Sequence, residues 1–197
     1  MDKTLKYYYD NAAKFSADTM NADMSEAQNE FLKYITTGNK ILDVGCGAGR
    51  DSLYFTNKGF AVTAVDGCKS FCDRVREIVG CEVLNITFDQ IAFDNTFDGI
   101  WACASLLHVP SEKLESILKR ILRAAKAGAP IYLSFKYGDF EGYKGGRYFC
   151  YYTEKTIRKK LDSLNLQPEK MWLRGDSRAR AETVWLNIII LKRAAEV

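Results

Sequence analysis

Histidine is nearly absent from this 197-residue chain: His108 stands alone. Six cysteines, at 46, 68, 72, 81, 103 and 150, include no CxxC pair. Zinc takes four ligands from Cys, His and acidic residues, so this scatter speaks against a zinc site, and no metal ion is expected. Scattered thiols without a pairing framework fit a reducing compartment, and a cytoplasmic protein is expected. No run reaches the roughly 18 apolar residues that mark a membrane span, so no membrane partner is expected. The opening MDKTLKYYYD lacks the apolar centre of a signal peptide. A charge excess is missing too: 28 basic residues against 25 acidic ones leave a net charge of +3. That balance neither demands nor excludes a nucleic-acid partner. Repeats and low-complexity linkers are absent. What remains is 47% hydrophobic and 27% charged, the composition of an ordinary soluble globular protein.

Short apolar runs punctuate the chain. They are Lys40–Val44, Phe60–Val65, Val83–Thr87, Phe97–Ala102 and Ile131–Phe135. Each is brief and rich in apolar or β-branched residues, as strands buried on both faces are. Helix-period segments lie between them. In Ser111–Ala127 the residues Leu114, Ile117, Leu118, Ile121 and Leu122 form a core-facing stripe, with Ser111 as the expected N-cap and Gly128 just past the end. Strands alternating with helices imply an α/β fold with a mostly parallel sheet.

The rhythm changes near the C-terminus. Thr153–Asn165 reads as a helix capped by Thr153. Met171–Arg174 and Thr183–Lys192 read as strands joined by the polar stretch RGDSRARAE, an antiparallel pair at one sheet edge. The first forty residues read as helices outside the alternation. Tyr7, Tyr8 and Tyr9 lie there beside NAAKF, where they could form a lid. The segment KYGDFEGYKGGRYF after the fifth run reads as a glycine-rich loop.

The stretch ILDVGCGAGR, Ile41–Arg50, ends the first apolar run in a glycine turn. Ligands of open α/β sheets bind beyond the carboxyl ends of the strands. Gly45 and Gly47 would permit positive φ and leave no Cβ between backbone and ligand. A helix starting near Gly49 would aim free N–H groups at the same space. A triphosphate loop needs GxxxxGK[ST], and no lysine follows. A dinucleotide turn needs Gly or Ala where Arg50 stands. The remaining pattern is an acid two residues before GxGxG, and Asp43, Gly45, Gly47 and Gly49 fit it.

These residues resemble motif I of the class I S-adenosylmethionine-dependent methyltransferases. VTAVDG resembles the second strand of that family, and FDGIWACASLLHVP its fourth strand with the helix that follows. YYYDNAAKFSADT, GRYFCYYTEKTIRKKL and WLNIIILKR resemble a subgroup of small bacterial enzymes similar to tellurite-resistance methyltransferases. The resemblance implies a Rossmann-like, doubly wound, seven-stranded sheet with an antiparallel C-terminal edge strand. It implies one domain over residues 1–197, with a helical cap at 1–38 and the core at 39–197. The cofactor implied is S-adenosylmethionine, released as S-adenosylhomocysteine.

Site residues follow on that basis. Asp66 closes the second strand, where two acceptor oxygens suit the vicinal hydroxyls of a ribose. Asp43 sits in an apolar strand, where it would accept N–H bonds from the glycine turn, and the resemblance implies that it organises the methionine end of the cofactor. Gly45, Cys46, Gly47 and Gly67 would lie against the cofactor, and Tyr8, Ala102, Cys103 and Leu107 would border it. Arg50 could pair with Asp51 or reach a carboxylate. The family usually ends its third strand in an acid for the adenine amine. Here Thr87 and Phe88 hold those positions, so Thr87 must bind differently, or Asp89 or Gln90 substitutes. The KPGG turn often seen before the fifth strand is KAGA here.

For the chemistry, His108 is the only side chain expected to titrate near neutral pH without perturbation, so it is the candidate general base. Its apolar setting in LLHVP equally suits a hydrogen-bonded structural histidine. Tyr9, Lys136 and Arg147 are candidates to hold the acceptor. The motifs of base-amino, metal-dependent catechol and cytosine-C5 methyltransferases are absent around Cys103. A small-molecule acceptor is favoured over RNA or protein, with the chain acting as monomer or homodimer. The competing classes are a nicotinamide-dependent dehydrogenase and a non-catalytic cofactor-binding module.

Overall fold

The computed structural model describes residues 2–176 and 183–193. The chain opens with helix α1, Lys3–Thr19, and α2, Ser25–Leu32. Asp2 caps α1 by accepting from the Thr4 N–H at 2.8 Å and the Leu5 N–H at 3.3 Å. Strand β1, Lys40–Val44, then begins the alternation. It continues through α3 (Arg50–Asn57), β2 (Ala61–Asp66), α4 (Lys69–Val79), β3 (Glu82–Asn85), β4 (Gly99–Ala102), α5 (Ser111–Ala124) and β5 (Pro130–Lys136). After β5 come β6 (Glu141–Lys144), β7 (Arg147–Cys150), α6 (Glu154–Asp162), β8 (Pro168–Gly175) and β9 (Val184–Leu191).

Seven strands form one sheet in the order β3-β2-β1-β4-β5-β9-β8. The first five are parallel, and β9 runs antiparallel to both β5 and β8. The fold is therefore the expected Rossmann-like one, with the antiparallel pair at one edge. Strand order reverses between β1 and β4, the switch point where such sheets hold ligands.

Both faces of the sheet are covered. On one, Phe31 of α2 and Phe55 of α3 meet Trp101 of β4 edge-on, with ring centres 5.3 Å away in each case. Trp101 stacks on Tyr132 of β5 at 3.8 Å. On the other, the α5 stripe from Leu114 to Leu122 is buried against the sheet. Each such side chain contributes about 1.5–3 kcal/mol of burial free energy, which is why α5 tolerates an otherwise charged sequence.

Several boundaries differ from expectation. Pro110 rather than Ser111 precedes α5, and the Ser111 N–H is taken by Glu141 Oε1 at 2.8 Å. The helix stops at Ala124, so Gly128, with φ +80°, belongs to the following turn and donates its N–H to Lys192 O. The third strand ends at Asn85. Beyond it Thr87 starts a short 3-10 turn, Phe88–Gln90, in which the Gln90 side chain reaches back to the Thr87 N–H at 2.9 Å. The segment read as a glycine-rich loop is the β6–β7 hairpin. Gly145 and Gly146 have φ of +57° and +80°, the pair of left-handed residues that a tight hairpin turn needs. Most of RGDSRARAE lies outside the described residues.

Candidate active site

The turn after β1 holds three glycines in the left-handed region, at φ of +74° (Gly45), +51° (Gly47) and +89° (Gly49). They serve different ends. A Cβ on Gly45 would come within 2.4 Å of Ser105 Cβ, so this glycine lets the loop after β4 close in. A Cβ on Gly49 would meet Val75 of α4 at 2.9 Å, so this one lets two helices pack. Gly47 is the position whose missing side chain leaves backbone facing open space, with Phe15 the nearest neighbour at 3.7 Å. The Gly45 and Cys46 N–H groups both donate to Val65 O, which locks the turn to β2.

Asp66 sits beneath that turn. Its Oδ2 accepts the Gly47 N–H at 2.9 Å and its Oδ1 accepts the Cys68 N–H at 2.8 Å. Each oxygen keeps a further acceptor site. Burial pushes this carboxyl up to about 6, and the two N–H bonds pull the other way. At neutral pH it is an anion facing a cavity.

Asp43 differs from expectation. It takes its bond from Ser52 Oγ at 2.6 Å, under α3, whereas the donated turn amide goes to Asp66. Burial, reinforced by the nearby Asp51 charge, raises its carboxyl well above the carboxylate range. It supports the turn from below and does not line the cavity.

Arg50 and Asp51 form a two-bond ion pair, Nε to Oδ1 at 2.9 Å and Nη2 to Oδ2 at 2.7 Å. Asp51 also accepts from Gln28 Nε2 at 2.7 Å and Trp101 Nε1 at 2.9 Å. Burial opposes its charge, but Arg50 and these donors outweigh burial and hold the carboxyl below its ordinary value. Arg50 thus has both the salt bridge and a place on the cavity wall. Cys103 lies 3.6 Å from Arg50 Nη2, and burial, aided by Asp51, pushes its thiol up to about 12. Burial likewise raises the Cys46 thiol well above its ordinary value. Neither thiol is poised as a nucleophile.

At the other end, His108 Nδ1 lies 2.6 Å from the Tyr148 carbonyl, which can only accept. Nδ1 therefore carries the proton, and Nε2 accepts from Tyr8 Oη at 2.7 Å. Burial lowers the imidazole to about 4, with the charges of Arg147 and Lys136 pushing the same way against the Tyr148 bond. Arg147 donates to Tyr8 Oη at 3.4 Å and lies over the rings of Tyr7 and Phe149 at 4.7 and 5.0 Å. Lys136 Nζ lies over Phe149 at 4.6 Å.

One cavity of about 920 Å³ joins these groups. Of the residues singled out in the sequence, it is lined by Tyr8, Gly45, Cys46, Gly47, Arg50, Asp66, Gly67, Thr87, Phe88, Cys103, Leu107, His108, Lys136 and Arg147. Ala102 is fully buried behind the wall, and Tyr9 is 56% exposed and absent from the lining. The reason for Tyr9 is helical geometry. The cavity face of α1 carries Tyr8, Asn11, Phe15 and Asp18, and Tyr9 is rotated about 100° from Tyr8. Asp89 reaches the rim, whereas the Gln90 side chain is spent on Thr87. Sequence reading missed Phe15, Phe71, Ser105 and Phe149. The i, i+7 spacing of Tyr8 and Phe15 was the available signal; nothing marked Ser105.

Comparison with known proteins bears on this arrangement. Residues 41–128 match the family model of a methyltransferase domain. That stretch runs from β1 through α5, the part of the sheet that carries the glycine turn and Asp66. Among curated proteins it is similar to the 24-methylenesterol C-methyltransferase 2 of Arabidopsis thaliana. That match is 33% identical over 57% of this chain and 33% of that protein. It is also similar to a probable S-adenosyl-L-methionine-dependent methyltransferase, TehB, of Haemophilus influenzae, 26% identical over 58% of this chain and 40% of that protein. The chain thus spans only about a third to two fifths of the length of these curated relatives. Among solved structures, the fold resembles the 1,6-didemethyltoxoflavin-N1-methyltransferase of Burkholderia thailandensis. The TM-score is 0.79 and identity 20%, over 96% of this chain and 85% of that one. No helix among the described residues is long and apolar enough to cross a membrane.

Proposed function

We propose that this protein transfers a methyl group from S-adenosylmethionine to a small-molecule acceptor. It would work in the cytoplasm as one catalytic unit, with residues 1–38 capping a core of 39–197. The observation that carries the reading is Asp66, a cavity-facing carboxylate bonded to the Gly47 amide at the sheet's switch point. The curated relatives and solved structures it resembles support the choice of cofactor.

The residues fit that cofactor. Asp66 has acceptor capacity left for two hydroxyls, and Gly47 leaves the space a Cβ would fill. Ser105 Oγ is buried on the cavity wall with no partner among the described residues. When bound, S-adenosylmethionine supplies a methyl group on a sulfonium, already a good leaving group. Asp66 would hold the ribose, the Thr87–Asp89 turn would border the adenine, and Arg50, fixed by Asp51, would meet the methionine carboxylate. Tyr8 and Phe15 of α1 would shut out water.

The chain's remaining task is alignment, which can supply about 7–11 kcal/mol in favourable cases. His108 does not serve as the base in this reading. Its Nε2 is occupied by the Tyr8 hydroxyl and its proton affinity is held down, so it positions Tyr8. Calorimetry tests the cofactor site: S-adenosylmethionine and S-adenosylhomocysteine bind the intact protein and bind Asp66→Ala about 100-fold or more weakly. Absence of binding to the intact protein would sink the reading. Release of S-adenosylhomocysteine across a panel of acceptors then separates an enzyme from a binding module.

A further inference from the structure

The half of the cavity away from the glycine turn is walled by β5, β7 and the residues after β4. Two cations project there against a single ring: Lys136 Nζ lies 4.6 Å, and Arg147 Cζ 5.0 Å, from the centre of Phe149. Both charges depress the proton affinity of His108, so both act on the same small volume. The contacts that Arg147 makes among the described residues are with neutral groups, namely the Tyr8 hydroxyl and the rings of Tyr7, Tyr8 and Phe149. Its Nε is buried with no hydrogen-bond partner among the described residues. A buried donor on a charged group costs roughly 1–3 kcal/mol or more when left unsatisfied, so this arrangement calls for an acceptor atom from outside the chain.

Among the described residues no acid is bonded to Arg147. Glu141 Oε1 accepts from the Ser111 N–H and from Tyr148 Oη. Asp2 spends Oδ1 on capping α1, and Asp51 is saturated by Arg50, Gln28 and Trp101. Imidazole Nε2 is closed by Tyr8.

Resting on the methyl-transfer reading, we propose that the acceptor is a small carboxylic acid bound as its anion, with the carboxylate held by Arg147 and Lys136. Guanidinium pairs with carboxylate through two parallel N–H bonds, and Arg147 still has Nε to give. Such an acceptor brings a negative charge to the two cations beside Phe149. Its carboxylate fixes its orientation while the ring-lined wall, Phe149 and Leu107, takes its apolar body. A neutral molecule of the same shape leaves Arg147 Nε unsatisfied and is rejected by the same logic that makes sites built for a polar group intolerant of its absence.

The test uses the full chain saturated with S-adenosylhomocysteine, with benzoate, phenylacetate and cinnamate as probes and the matching primary amides as controls. Calorimetry or ligand-observed NMR gives affinities. At least one carboxylate binds about tenfold or more tightly than its amide, and Arg147→Met abolishes that difference. Lys136→Gln weakens the same carboxylate about threefold to tenfold, and Arg147→Lys retains part of the preference because the charge stays while the fork is lost. S-adenosylhomocysteine affinity, measured first in every variant, stays within about threefold of the parent, which reports an intact fold and cofactor site. Carboxylates binding no better than amides, no carboxylate binding at all, or a preference that survives Arg147→Met overturns the proposal. Failure of S-adenosylhomocysteine to bind the parent protein instead overturns the cofactor reading.

Discussion

At the glycine-turn end of the cavity, the polar groups on offer are the Asp66 carboxylate, held by two backbone amides, the Ser105 hydroxyl, and Arg50, clamped by Asp51. At the hairpin end they are two long cations, a phenol and an imidazole. The first set is fixed by chain geometry: left-handed glycines, a strand end and a helix start leave little room for change. The second set rides on flexible side chains stacked against rings, where an exchange of residue alters what is recognised without disturbing the sheet. A rigid end suits a ligand shared by many proteins, and an adjustable end suits one that differs from protein to protein.

The contrast can be broken most directly at Asp66. Asp66→Ala removes the acceptor for two hydroxyls, and S-adenosylmethionine affinity falls about 100-fold or more by calorimetry, with the fold checked by circular dichroism. A loss below tenfold would mean that the rigid end does not hold the cofactor. Next comes Gly45→Ala, which combines a left-handed φ with a Cβ 2.4 Å from Ser105. It lowers stability by about 2–3 kcal/mol in thermal or urea unfolding, whereas an alanine at Gly145, where a Cβ meets nothing, costs only about 1 kcal/mol.

A third effect is in pH. Asp66 is raised to about 6, so protonation sets in as pH falls through that value, and the charged form that binds is lost. Cofactor affinity should drop about tenfold per pH unit below it. Asp66→Asn binds weakly and shows no inflection near 6. The smallest effect belongs to the adjustable end. Tyr8→Phe removes the hydroxyl that caps His108 Nε2 and costs about 1 kcal/mol of stability. The imidazole, lowered to about 4 in the parent, then titrates at higher pH by NMR, since a bond favouring its neutral form is gone. An unmoved titration would show that burial alone sets His108.

The rigid end was also the more legible one. The strand-terminal acid and the spaced glycines are local patterns with one backbone solution, and β1 spans the residues its apolar run indicates. Asp43 was misjudged because the choice between turn amides and Ser52 depends on how α3 crosses the sheet, nine residues on. The β6–β7 hairpin looked like a loop since its strands, EGYK and RYFC, form a separate two-stranded sheet, and glycines at 142, 145 and 146 mask the alternation. Even so, Gly145-Gly146 is a known hairpin signal. Tyr8 and Tyr9 cannot be told apart from sequence until the rotation of α1 about its axis is known. The Tyr8–His108 bond spans 100 residues, and no local pattern announces such a pairing.

Asp51 gathers donors from three elements: Gln28 of α2, Arg50 of α3 and Trp101 of β4. This makes one carboxylate a junction through which the N-terminal segment and the cavity wall share strain. A substitution at Gln28, on a helix that offers the cavity no residue, leaves a buried acid short of a donor and loosens the clamp on Arg50. Selection acting on cofactor binding would then register changes in α2 as though they were changes in the site itself.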